Sequence, residues 1–95
     1  MDYKIDIQKR ALKDIDEGYY WYESKSVGLG MRFVREVETM LIYIEKYPKH
    51  YQIKYKKYRE GILKIFPFVV IYEIIKEKVV VLSVFPTHGN PKNKM

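Results

Sequence analysis

Apolar and polar side chains alternate from Tyr3 to Ile7, the two-residue period of a strand with one buried face. From about Lys9 the period lengthens. Leu12, Ile15, Tyr19 and Tyr22 recur at steps of three and four, which places them on one face of a first helix running to about Lys25. Gly28-Leu29-Gly30 then breaks the periodicity with residues that tolerate unusual backbone angles. A second helix is expected directly after it, with Phe33, Val37, Met40, Ile44 and Tyr47 as its buried stripe. Pro48 stops it, because the residue before a proline disfavours helical angles. A connection this short makes the pair an antiparallel helical hairpin.

The second half has a different grain. Ile53 to Tyr58 alternates basic and apolar residues, Gly61 to Phe66 is mostly apolar, and Phe68 to Ile75 and Val79 to Phe85 are almost continuously so. These runs are short and rich in Val, Ile, Tyr and Phe, which favours strands over a buried helix. Pro67 cannot donate to a ladder and marks a strand end or bulge, and Lys76-Glu77-Lys78 reads as the polar tip of a hairpin. One strand, two helices and three or four antiparallel strands make an α+β layer pair, with the helical hairpin on one sheet face. Residues 87–95, with Gly89, Asn90, Pro91 and two lysines, are expected to leave the sheet as a loop or flexible tail.

Composition narrows the setting. A length of 95 residues suits one domain, and a hydrophobic share of 47% gives it a core to bury. The absence of cysteine removes any disulfide framework, thiolate metal site or cysteine nucleophile, which fits a reducing cytoplasm. No basic-then-apolar leader opens the chain, and no apolar run approaches the roughly 18 residues of a membrane span. A cytoplasmic protein without membrane contact is therefore expected. The net charge of +6 is unevenly placed, because residues 46–64 hold seven cations (Lys46, Lys49, Lys54, Lys56, Lys57, Arg59, Lys64) against the single carboxylate Glu60. Such an excess attracts nucleic acid or an acidic protein. It equally serves to guard a strand edge against sheet-to-sheet pairing.

Several strings recur in an informative order: Arg10-Ala11-Leu12-Lys13-Asp14-Ile15, Trp21-Tyr22-Glu23, Gly28-Leu29-Gly30-Met31-Arg32-Phe33, Tyr58-Arg59-Glu60, Leu63-Lys64-Ile65-Phe66-Pro67-Phe68, Ile71-Tyr72 and Val81-Leu82-Ser83-Val84-Phe85. Together they resemble the RelE/ParE toxin superfamily of type II toxin–antitoxin systems, its ParE-like branch most closely, from about residue 3 to residue 91. The resemblance implies a β-α-α-β-β-β(-β) fold with the helical hairpin packed on one face of a mainly antiparallel sheet. It also implies a toxin neutralised by a cognate antitoxin, as a dimer or a hetero-oligomer with that antitoxin. Two activities occur in the superfamily. ParE-like toxins poison DNA gyrase by protein–protein contact, and RelE-like toxins cut mRNA on the ribosome without a metal.

A ribonuclease of that kind needs a proton acceptor for the 2′-hydroxyl, cations for the charged phosphorane and an acid for the leaving oxygen. RelE-like nucleases usually carry an Arg three residues before the strand tyrosine that here is Tyr72, and the corresponding position is Val69. That leans towards a non-catalytic toxin. Catalysis would fall to His88 as the proton donor, with Arg59 and Lys64, and also Lys54 and Lys56, as cations. His88 in its Thr-His-Gly-Asn context reads equally as a solvated turn residue, and His50 has no recognisable partner. Lys54, Lys56, Lys57, Arg59 and Lys64 are the expected target- or antitoxin-binding residues. Arg59 has a structural alternative, an ion pair with Glu60 or a helix carboxylate. The tyrosines around Trp21 are better explained by seating a helix on a sheet than by stacking bases. A toxin fold with decayed toxicity is a third reading of Val69. With no Walker-type loop, zinc spacing or Ser-His-Asp pattern, no cofactor or metal is expected.

Overall fold

The alternating N-terminal residues form β1 (Lys4–Ile7), followed by α1 (Lys9–Lys25), α2 (Leu29–Lys46), β2 (Ile53–Tyr55), β3 (Tyr58–Ile62), β4 (Phe68–Ile75) and β5 (Lys78–Pro86) in a computed structural model that describes residues 2–87. The strands make one five-stranded sheet in the order β1-β5-β4-β3-β2. β2 to β5 form an antiparallel meander, and β1 joins the far edge parallel to β5. The helical hairpin lies on one face of this sheet, where Phe33, Val37, Leu41 and Ile44 meet Phe68, Val70, Tyr72, Val79, Val81 and Val84 in the core. This is the expected α+β architecture.

The buried stripes differ in detail from the sequence spacing. On α1 the buried positions are Ala11 and Gly18, with Ile15 and Tyr22 packed beside them, whereas Leu12 is 53% exposed. On α2, Leu41 is buried while Tyr47 is 52% exposed and Met40 only partly covered. Small residues at the crossing explain the shift. The two helices approach so closely that a Cβ on Gly30 would lie 2.6 Å from the backbone oxygen of Tyr19. Gly28, the residue before α2, has φ +89°, a left-handed angle that penalises any side chain. The Gly-Leu-Gly junction thus combines a turn requirement with a packing requirement. Gly30→Ala is expected to cost about 1–3 kcal/mol through overpacking, read as a lower midpoint in urea unfolding.

The apolar run from Gly61 to Phe66 is not a single strand. β3 ends at Ile62, and residues 63–67 turn away from the ladder. The cause lies on α2, where Glu36 accepts hydrogen bonds from the backbone N–H groups of Lys64, Ile65 and Phe66 at 2.9–3.0 Å. Other helix carboxylates do the same for backbone donors that the ladders leave over. Glu45 takes the N–H of Ile5 on the outer edge of β1 at 3.1 Å. Asp14 takes that of Val84, beyond the end of β1, at 3.0 Å. Glu23, near the end of α1, accepts from Gly28 and Gly30 at the start of α2, where negative charge also suits the helix dipole. Four of the nine carboxylates in residues 1–45 are engaged in this way.

Candidate functional site

The cationic segment folds mainly into the β2–β3 hairpin at the free edge of the sheet. Ile53 pairs with Arg59 and Tyr55 with Tyr58, with an irregular register between them, so Lys56 and Lys57 form the turn. Lys56 takes up a left-handed angle of φ 53° and rests 5.4 Å above the Tyr55 ring. Lys54 and Lys56 are exposed. Lys57 lies over the open side of the sheet, 3.3 Å from a carboxylate oxygen of Glu73. Glu73 is only 7% exposed, and that oxygen has no hydrogen-bond partner, so the ammonium is its one source of compensation among the described residues. Arg59 is held inward, with Nη1 donating to the carbonyl of Tyr51 at 2.6 Å. Lys64 stands in the loop after β3, where its backbone serves Glu36. The linear run of charge is therefore divided: Lys54 and Lys56 are free, and Lys57 and Arg59 are engaged. His88 lies outside the described residues.

Tyr72, the strand tyrosine of the sequence motif, is fully buried, and its hydroxyl donates to the carbonyl of Pro48 at 2.6 Å. That bond ties β4 to the loop leaving α2. Burial pushes the phenol from 10.0 up to about 12, opposed in part by the nearby Arg59 guanidinium. A tyrosine whose folded value exceeds its unfolded one adds stability that is complete below pH 10 and disappears as pH rises through about 12. Thermal melts should therefore fall more steeply across that window in the wild type than in Tyr72→Phe. At neutral pH the same substitution should cost about 1–2 kcal/mol, because it leaves the Pro48 carbonyl without its donor.

Strand residues alternate between faces, so Val69, Ile71 and Glu73, which alternate with the buried Phe68, Val70 and Tyr72, point to the side that the helices leave open. Across β3, β4 and β5, one row on that side reads Ile62–Val69–Phe85, and the next reads Glu60–Ile71–Ser83. A further row sets Glu73 beside Val80 and Asp6. Val69 is 8% exposed, covered by its neighbours, while Ile62 and Phe85 are about half exposed. The apolar row Ile62–Val69–Phe85 thus lies at one end of the open face, where β3 and β5 finish and β4 begins, and the carboxylates Glu60 and Glu73 follow it further along the sheet. The sequence identified Val69 but not the row it belongs to, since that requires the β3–β4–β5 register.

His50, which has no recognisable partner in the sequence, belongs to an aromatic cluster in the fold. Tyr43, near the end of α2, packs edge-on against His50 with centroids 5.2 Å apart, and His50 packs edge-on against Tyr51 at 4.7 Å. Tyr47 lies 5.1 Å from Tyr43. The available signal was Tyr43, off the expected stripe and four residues before Tyr47, followed at once by His50 and Tyr51. Among the described residues no group of three His, Cys, Asp or Glu side chains could hold a metal ion, and no helix is long and apolar enough to cross a membrane.

Residues 5–91 match the family described as the ParE toxin of the type II toxin–antitoxin system parDE, and the chain belongs to that family. Among solved structures it is similar to the chromosomal ParDE toxin–antitoxin system from P. aeruginosa, with TM-score 0.78 at 13% identity over 88% of this chain and 95% of that one. An E. coli RelE mutant in complex with an antitoxin RelBc peptide matches with TM-score 0.63 at 21% identity, over 90% and 84% of the two chains. The free RelE mutant matches with TM-score 0.59 at 18% identity over the same shares. No curated protein matches the chain. At these identities the structural likeness speaks for the fold, and the family match carries the assignment as the toxin of a type II pair.

Proposed function

We propose that the protein is a non-catalytic toxin that blocks DNA gyrase by protein–protein contact and is neutralised by an acidic segment of its antitoxin. The observation that carries this reading is the Ile62–Val69–Phe85 row. Phosphoryl-transfer chemistry on this sheet would need cations aimed at the reacting phosphate, and the β3–β4–β5 part of the open face offers aliphatic side chains, a phenyl ring and the carboxylates Glu60 and Glu73. Lys57 is committed to Glu73. Arg59 is turned towards Tyr51. An apolar strip of this kind suits contact with another protein better than contact with a phosphodiester.

The antitoxin half of the proposal rests on charge. The free lysines Lys54, Lys56 and Lys64 complement an acidic tail that orders on binding, and complementary charge speeds encounter and fixes register. The ParDE and RelE–RelBc structures above are toxin–antitoxin assemblies of similar fold, which supports an antitoxin partner here. A ribosome-dependent cut of mRNA through His88 is the competing reading. In a translation extract supplied with the purified toxin, mRNA should stay intact by primer extension. Codon-positioned cleavage that His88→Ala abolishes would overturn the proposal.

A further inference from the structure

The Tyr43–His50 pair is the shared wall of two hollows on the helix side of the molecule. One, of about 370 Å³, lies between α2 and the loop after β3, lined by Thr39, Met40, Tyr51, Leu63 and Lys64 besides the pair itself and Glu36. The other, of about 400 Å³, is bounded by Tyr3, Tyr47, Pro48 and Lys49. Each volume suits one or two bulky side chains. Each has one lysine, Lys64 in the first and Lys49 in the second. The acidic side chains nearby are already occupied: Glu36 faces the amides of Lys64, Ile65 and Phe66, and Glu45 holds Ile5.

We infer that this double socket is an anchor site for an acidic peptide segment, with one apolar side chain entering each hollow and flanking carboxylates meeting Lys64 and Lys49. The inference rests on the antitoxin reading given above and assigns that partner a specific place to dock. Charge complementarity selects the occupant, since Lys49 and Lys64 line the two hollows while residues 46–64 hold a single carboxylate, Glu60. Apolar anchors in desolvated pockets supply most of the binding energy at such sites, and charged rims supply orientation and rate. A nucleic acid fits less well. The rings of Tyr43, His50 and Tyr51 are edge-on to one another, at 87–88° for the two His50 contacts, so they turn into one another instead of forming a row of open faces for bases.

The test uses the full-length toxin and, as probe, a fluorescein-labelled peptide covering the C-terminal half of the protein encoded next to the toxin gene. Thr39→Trp fills the first hollow from an exposed helix position, and Tyr47→Ala opens the wall of the second. Ile42→Trp, at a 67% exposed site on α2 outside both hollows, is the control. Circular dichroism and thermal melts confirm that each variant is folded. Each socket variant should weaken peptide binding about tenfold or more, as for an interface hot spot, with Ile42→Trp unchanged. Wild-type binding that both socket variants leave within twofold would overturn the inference while sparing the antitoxin reading. No binding of the wild type to either the peptide or the whole neighbouring protein would overturn both. A labelled single-stranded oligonucleotide that binds and is lost in Thr39→Trp would replace the peptide with a nucleic acid and overturn the inference as well.

Discussion

Phe33→Ala is expected to destabilise the fold by about 3–5 kcal/mol, the usual cost of emptying a fully buried aromatic site. Phe33 is inaccessible to solvent, and its ring lies 4.8 Å from that of Phe68, 5.3 Å from Tyr22 and 5.5 Å from Phe66. It is the point where both helices, the start of β4 and the residue 63–67 turn converge. The surroundings have little room to close the gap, since Tyr22 and Phe66 are themselves in contact at 4.7 Å. A domain of this size is stable by about 5–15 kcal/mol in total. The substitution therefore removes a large fraction of the stability, and the melting temperature should fall by about 15–30 °C. Toxicity should fall with it, through a larger unfolded population instead of a lost contact. Differential scanning calorimetry on the two proteins measures the effect, and a drop of only a few degrees would mean that the aromatic cluster is not the centre of the core.

Reversing the free cations should act on the opposite property, leaving stability nearly unchanged and removing partner binding. The useful set is Lys54→Glu, Lys56→Asp and Lys64→Glu, because all three side chains are exposed. Aspartate is chosen at position 56 because it tolerates the left-handed angle there. Lys57 is left alone, since its loss would strand the buried Glu73 carboxylate, and Arg59 because it holds the Tyr51 carbonyl. Like charges facing an acidic partner cost several kcal/mol, so antitoxin affinity at low salt should fall by about 100-fold or more. The residual binding should depend much less on salt than the wild type's. Isothermal titration with the neighbouring gene product, at two salt concentrations, reads both. Unchanged affinity would show that the cationic hairpin guards a sheet edge and nothing more.

How legible these features were in the sequence follows from their range. Elements were readable because each rests on local periodicity: residues 3–7 alternate, the helices repeat every three or four positions, and Pro48 and Lys76-Glu77 punctuate. The family strings Gly28-Leu29-Gly30 and Leu63-Lys64-Ile65-Phe66-Pro67-Phe68 pointed to the same layer arrangement that the order of elements implies. Side-chain detail was legible only where one element decided it. Leu12 is exposed because Gly18 and Gly30 let the helices cross on a different line. The 63–67 turn is made by Glu36, about 30 residues earlier in the chain. The same holds for the site. Val69 could be singled out as lacking a cation, but its neighbours Ile62 and Phe85 come from other strands, and the double socket needs the end of α2, the loop after it and the turn after β3 to meet. A charge count located the basic segment without revealing that Lys57 and Arg59 are engaged.

Family membership and fold leave the toxin's cellular target open, and a purified supercoiling assay decides whether it is DNA gyrase. Relaxed plasmid, DNA gyrase and ATP are incubated with increasing amounts of folded, antitoxin-free toxin. A parallel series contains the toxin pre-mixed with the neighbouring gene product. Supercoiled product should disappear as toxin is added and return in the pre-mixed series, with the Lys54→Glu, Lys56→Asp, Lys64→Glu variant escaping that rescue. Undiminished supercoiling at toxin concentrations well above that of gyrase would contradict the proposed target.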